Sequence, residues 1–144
     1  MKLMIILQNA YMDREGSVLS GEPLFIMSAY SWKYTSFDNV TERRLKKIVP
    51  NACDIIFGNA SPKIGNNPNS FFSYDENHVG RMILKYKPDL VLLCGKEAGK
   101  AENLIRKIGL PYVLSLHPAA RILSNEYCKS KRKEIIREII RIML

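Results

Sequence analysis

The sequence predicts an α/β fold, a three-layer α/β/α sandwich around a central, mainly parallel four-stranded sheet. Three observations predict it. Four short apolar runs, at 2–8, 53–58, 89–95 and 111–117, are rich in Ile, Leu or Val, and each ends at a polar or glycine-containing segment. Continuous apolar runs of this length suit strands buried on both faces, as in a parallel sheet. Segments with helical periodicity lie between and after these runs, and the alternation of strand and helix argues for right-handed crossover units. The chain of 144 residues is 47% hydrophobic and 25% charged, which fits one globular domain over 1–144.

Each element has a local reason. Met1-Lys2-Leu3-Met4-Ile5-Ile6-Leu7 is read as a buried first strand rather than a signal peptide, because its apolar stretch is brief and no small-residue cleavage site follows. Asn39 with Glu42 three residues on forms a helix start, and the helix runs to about Ile48. Asp75 caps a helix that runs to Lys87, before Pro88. A helix from Glu97 to Ile108 stops at Gly109. The last helix is expected over 130–144, with Ile135, Ile136, Ile139 and Ile140 on one apolar face. Two long connections remain, at 11–38 and 59–74. Loops of this length in a compact domain are functional or disordered, and Phe25, Tyr30, Trp32, Tyr34 and Phe37 argue against disorder in the first.

Composition narrows the function. No apolar run reaches the ~20 residues of a membrane helix, so no membrane partner and a cytoplasmic location are expected. Cys53, Cys94 and Cys128 are odd in number and widely spaced, which argues against a disulfide framework and against a metal site. The net charge of +8 is uneven: residues 1–95 carry 11 Lys+Arg against 9 Asp+Glu, residues 96–144 carry 11 against 5. A basic half suggests a polyanionic partner such as nucleic acid.

In open parallel sheets, ligands bind outside the carboxyl ends of the strands. The segments that follow the four strands are Gln8-Asn9-Ala10-Tyr11, Asn59-Ala60-Ser61-Pro62, Gly95-Lys96 and His117-Pro118-Ala119-Ala120-Arg121. Amides, a phenol, a hydroxyl, an imidazole and a guanidinium would meet there, a set able to hydrogen-bond a planar heterocycle with cations at its rim. Gly95-Lys96-Glu97-Ala98-Gly99-Lys100 lacks the spacing of a phosphate loop.

These segments resemble the uracil-DNA glycosylase superfamily, which includes the mismatch-specific enzymes. Leu7-Gln8-Asn9-Ala10-Tyr11-Met12 is similar to the motif Gly-Gln-Asp-Pro-Tyr-His. The stretch from Tyr86-Lys87-Pro88 to Leu92-Leu93-Cys94-Gly95-Lys96-Glu97-Ala98 is similar to the strand-to-helix segment of the mismatch-specific branch. His117-Pro118-Ala119-Ala120-Arg121 resembles the His-Pro-Ser motif and its DNA-wedging loop, and Phe57-Gly58-Asn59 resembles the segment whose amide reads the uracil edge. The departures are Leu7, Asn9 and Ala10 in the first motif and Ala119 in place of the serine.

The resemblance implies a uracil-DNA glycosylase-like fold and a monofunctional N-glycosylase of base-excision repair, acting on uracil or a related deaminated base flipped out of DNA. It implies catalytic roles for Asn9, which would hold the attacking water, and for His117, which would donate a hydrogen bond to the base oxygen. Gln8, Tyr11, Phe25 and Asn59 would bind the base, with Phe25 stacking on it. Pro118, Arg121 and Lys96 would meet DNA, and Arg121 would fill the gap the base leaves. No cofactor and no metal are expected, and a monomer with uracil-containing or mismatched DNA as partner. Two other functions remain open: a non-catalytic nucleic-acid-binding protein that keeps the fold, and a flavodoxin-like nucleotide-binding enzyme. The absence of a glycine-rich fingerprint after the first strand counts against the second.

Overall fold

Four apolar runs become four parallel strands, of which the first three are buried on both faces and the last, at the sheet edge, leaves Leu114 exposed. The computed structural model describes residues 1–8, 10–11, 26–28, 40–51, 53–66, 70–120 and 123–144. Of residues 10, 11, 26–28, 40 and 42 the backbone alone is described. The strands are β1 (Lys2–Leu7), β2 (Ala10–Tyr11), β3 (Ile26–Ser28), β4 (Asp54–Asn59), β5 (Ile64–Gly65), β6 (Leu90–Cys94) and β7 (Tyr112–Ser115). The helices are α1 (Val40–Ile48), α2 (Glu76–Tyr86), α3 (Lys96–Gly99), α4 (Glu102–Ile108) and α5 (Asn125–Met143).

The main sheet runs in the order β3-β4-β1-β6-β7. β4, β1, β6 and β7 are parallel, with Leu7 beside Asn59, Ile6 beside Leu93 and Cys94 beside Ser115. The expectation of four strands is corrected to five, since β3 pairs antiparallel with β4 at the edge. β3 lies inside the first long connection, and β5 pairs parallel with β2 inside the second, so neither is loop throughout.

Alternate strand residues enter two different apolar clusters, as the two-residue period of a strand requires. Leu3, Ile5, Ile55, Phe57, Leu90, Leu92 and Val113 join Leu45 and Ile48 of α1 and Ile135 and Ile139 of α5. Met4, Ile6, Ile56, Val91 and Leu93 join Val79, Met82 and Ile83 of α2, Ala98 of α3, and Ala101 and Ile105 of α4. All three cysteines are buried and free. Among the described residues no helix is long and apolar enough to cross a membrane.

Two helices depart from the sequence expectation. The one expected from Glu97 to Ile108 is two, because Lys100 and Ala101 donate to carbonyls three residues back (Glu97 and Ala98) and tighten the chain between them. The last helix starts at Asn125 rather than 130, since the Ser124 hydroxyl accepts from Tyr127 N–H and caps it. Its apolar face is also narrower than expected. Ile135 and Ile139 are buried, whereas Ile136 and Ile140 point outward.

Candidate functional site

Where four parallel strands end together, the chain must turn, and the residues of those turns share one edge. The path of the chain makes this edge a switch point. From β1 the sheet grows to β4 on one side and then to β6 and β7 on the other. A crevice opens at such a reversal, outside the carboxyl ends of the strands. Gln8 follows β1, Asn59 ends β4, Gly95 and Lys96 follow β6, and His117 lies two residues beyond β7. The expectation that these segments converge on one edge therefore holds for the described residues. Asn9, Phe25 and Arg121 lie outside them, as does the side chain of Tyr11.

Asn59 and Gln8 are tied together through backbone. Asn59 is level with Leu7 in the β4–β1 ladder, and Ala60 and Ser61 N–H donate to the carbonyls of Leu7 and Gln8 at 2.8 and 3.1 Å. The Asn59 side chain is buried, 3% exposed, and its Nδ2 has no hydrogen-bond partner among the described residues. A buried amide donor left unpaired costs ~1–3 kcal/mol. Gln8 is half-buried.

His117 is held from several directions. Ala119 N–H donates to its Nδ1 at 3.1 Å. Nδ1 is thus an acceptor, and the ring proton sits on Nε2, the donor end of a neutral imidazole. Burial pushes the His117 pKa below its ordinary value, so the neutral ring prevails at neutral pH. Ala120 N–H donates to the His117 carbonyl at 2.8 Å, closing a turn. Just before the ring, Leu116 N–H donates to the Tyr127 hydroxyl of α5 at 2.8 Å. Just after it, Arg44 Nη1 of α1 donates to the Pro118 and Ala120 carbonyls at 2.7 and 2.8 Å.

Gly95 forms the floor under the imidazole. Its φ of 94° and ψ of −179° lie in a region open essentially to glycine alone. Its N–H donates to Ser115 O at 2.9 Å, and a Cβ placed on it would stand 3.2 Å from His117 Cβ. The residue is glycine for both reasons, conformation and contact. Lys96 beside it is exposed. Pro118 is buried and its carbonyl is taken by Arg44, so it offers a ligand no polar group.

Glu97 supports the other wall. Its buried carboxylate accepts Tyr74 N–H at 2.8 Å and the Lys100 ammonium at 2.8 and 2.9 Å. The Lys100 hydrogen bond and then the Tyr74 one hold its pKa below the ordinary value, against a smaller opposing effect of burial. Asp75 N–H donates to Ala60 O at 2.8 Å, so the segment before α2 is fastened beside Asn59. Burial raises the Tyr74 phenol to about 12, and its hydroxyl has no partner among the described residues. The same holds for Nε2 of His78, 1% exposed on α2, a residue to which the sequence assigned no role.

Sequence reasoning named Gln8, Asn59, Lys96 and His117, but missed Arg44, Tyr127, Gly95 and Glu97 as supports. Only Gly95 had a signal, a glycine directly after a buried strand, where a close backbone approach is common. Among the described residues no group of three or more His, Cys, Asp or Glu could hold a metal ion. Compared with models of known families, with curated proteins and with solved structures, the chain matches none.

Proposed function

We propose that the protein is a base-excising DNA glycosylase with a uracil-DNA glycosylase-like, three-layer α/β/α arrangement. It hydrolyses the N-glycosidic bond of uracil or a related deaminated base. The observation that carries the reading is the pair of neutral donors on one edge: Asn59 Nδ2, buried and without a partner among the described residues, and His117, whose Nδ1 is an acceptor and whose proton is on Nε2. Their strands are three positions apart in the sheet, a separation of roughly 14 Å between backbones. On the proposed reading one flat heterocycle lies between the two side chains.

The chemistry follows from those groups. Cleaving the bond from base to sugar leaves negative charge on the departing base. A donor fixed toward the base oxygen stabilises that charge, and removing such a donor costs ~10²–10³ in rate. His117 supplies the donor as a neutral imidazole. Asn59 reads the edge of the base, and Asn9, by the resemblance, holds the water. An amide orients water but takes no proton near neutral pH, so the reaction is slow beside that of a carboxylate enzyme. The strand order is shared with flavodoxin-like nucleotide binders, but the turn after β1 carries no glycine to cradle a phosphate.

The test is single-turnover excision from uracil-containing oligonucleotides, with melting temperature measured on the same preparations. His117→Ala is expected to lower the rate about 100-fold with DNA affinity changed much less. A fully folded variant that excises at the parent's rate refutes the mechanism. A parent that binds DNA and excises nothing makes the chain a non-catalytic binder, and a copurified flavin or nucleotide in the absorption spectrum supports the flavodoxin-like alternative.

A further inference from the structure

We infer that Arg44 is a positioning residue that sets which nitrogen of His117 carries the proton. The inference rests on the proposed role of His117 for its catalytic consequence, though not for its structural one. One guanidinium nitrogen donates to two carbonyls of the same turn, Pro118 O at 2.7 Å and Ala120 O at 2.8 Å. The first contact is the informative one. Pro118 O and Ala119 N–H belong to a single peptide unit, and among the described residues the backbone contains no cis bond. In a planar trans peptide the carbonyl and the N–H point in opposite directions. Holding Pro118 O on Arg44 therefore aims Ala119 N–H away from Arg44, and there it meets His117 Nδ1 at 3.1 Å.

The relay has an electronic part as well. A cation on the carbonyl draws electron density through the peptide and makes the N–H a stronger donor, since linked hydrogen bonds polarise one another. A stronger donor at Nδ1 favours the ring form in which that nitrogen keeps its lone pair. The proton is then confined to Nε2, and adding a second proton at Nδ1 requires breaking the Ala119 bond. This acts in the same direction as the burial that lowers the His117 pKa. The Ala120 contact clamps the far end of the turn, so the Pro118–Ala119 peptide cannot rotate away.

Tyr127 provides the contrast. It accepts Leu116 N–H at 2.8 Å, one residue before His117. It anchors the same segment, yet has no bond to the Pro118–Ala119 peptide. Tyr127 thus fastens the segment through one neutral bond and Arg44 through two charge-assisted ones, and of the two only Arg44 bonds the peptide that meets Nδ1.

The experiment is nitrogen NMR of the imidazoles in the ¹⁵N-labelled parent, Arg44→Met, Arg44→Lys and Tyr127→Phe. The sequence has only two histidines, so His78 is an internal reference in every spectrum. The parent is expected to show an unprotonated Nδ1 and a protonated Nε2 at His117. In Arg44→Met the two nitrogens should move toward each other as the second tautomer becomes populated, and the His117 titration should shift up toward its ordinary value. His78 should not move. Arg44→Lys, which keeps a cationic donor on a different stem, should restore part of the parent signature. Tyr127→Phe should leave the tautomer unchanged even where it lowers the melting temperature.

A folded Arg44→Met protein with the parent's tautomer and titration overturns the inference, as does an equal tautomer change in Tyr127→Phe. Should the methionine variant not fold, Arg44→Lys decides: a tautomer identical to the parent's in a lysine variant whose turn amides have shifted also overturns it. On uracil-containing DNA, Arg44→Met should lose about 10–100-fold in kcat with KM little changed, the scale expected for a misplaced catalytic group. The two readings separate cleanly. A tautomer shift in a protein that excises nothing upholds the clamp and removes the glycosylase, whereas excision without a tautomer shift does the reverse.

Discussion

Gly95→Ala perturbs the floor beneath His117, and its effect can be worked out from two glycines. Gly95 has φ 94° and ψ −179°, a conformation that costs any other residue about 1–3 kcal/mol. Gly109, the C-cap of α4, has φ 84° and ψ 20°, and placing alanine there costs ~1–2 kcal/mol. The conformational penalties are thus of similar size. The surroundings differ. Nothing lies within 4 Å of a Cβ on Gly109, whereas one on Gly95 stands 3.2 Å from His117 Cβ and 3.8 Å from its Cα. Those atoms belong to the backbone and the root of the side chain, so relief requires the turn itself to shift by a few tenths of an ångström. At about 3 °C per kcal/mol for a chain of this size, Gly95→Ala should melt roughly 3–9 °C and Gly109→Ala roughly 3–6 °C below the parent. Excision, measured by single turnover well below either melting point, should fall about tenfold in Gly95→Ala and stay at the parent level in Gly109→Ala. The imidazole signals of His117 should move in the first variant only. Equal melting losses with unchanged His117 signals and a full excision rate in Gly95→Ala would refute the claim that this contact positions the ring.

Two further predictions follow from charge. The Glu97 carboxyl has a lowered folded pKa, so its contribution to stability is present above the ordinary value of ~4.3 and is lost as pH falls through that value toward the folded one. Glu97→Gln should melt lower than the parent at pH 7 and show a flatter decline below about pH 4.5; parallel melting curves across that range would mean that the carboxylate does not hold Tyr74 and Lys100. On α5, Lys129, Lys133 and Arg137 are exposed at four-residue spacing and form no ion pair among the described residues. Changing all three to Gln should make the slope of log DNA affinity against log salt shallower by about 2–3 if each meets a phosphate of duplex DNA, whereas the same change at Lys85, Lys87 and Lys107 should leave the slope alone; equal effects would reduce both sets to general net charge.

β1, β4 and β6 are legible in the sequence because burial on both faces fills them with apolar residues, and β7 is legible because Tyr112-Val113-Leu114 is an apolar run too, though Leu114 is exposed at the sheet edge. β3 escapes such reading. It has three residues, and its pairing is an edge contact that β4 offers rather than a pattern of its own. The start of α5 was missed because the cap Ser124 precedes Glu126, Lys129 and other polar residues, well before the first isoleucine. Ile136 and Ile140 then continue the apolar spacing without being buried, so periodicity overstated the buried face. Candidate site residues at strand ends could be named from their position alone. Their supports could not. Arg44 meets Pro118 across 74 residues and Glu97 meets Tyr74 across 23. One basic residue among four on α1, or one Glu at a helix start, carries no mark of such a contact.

The supports also bear on the proposed reading at a point where the resemblance departs. In the segment that resembles His-Pro-Ser, the serine position is Ala119, which has no hydroxyl to meet a phosphate. What Ala119 gives His117 is its backbone N–H, and every residue except proline has one. The orientation of the imidazole therefore does not depend on the side chain at 119. It depends on the peptide before it, held by Arg44, and on the floor beneath it, which must be glycine. The Arg44 hold and the Tyr127 anchor both trace back to the first apolar cluster, since Leu45 and Ile48 of α1 pack there with Ile135 and Ile139 of α5, which carries Tyr127. The Asn59 side of the edge is fastened differently, through Asp75 N–H on Ala60 O and through Tyr74 N–H on Glu97, next to the second cluster. Both sides of the edge thus rest on strands that share the two cores, since β1, β4 and β6 each contribute alternate residues to both. Substitution of motif side chains can proceed while those two cores keep the backbone donors in place, because the donors are part of the fold.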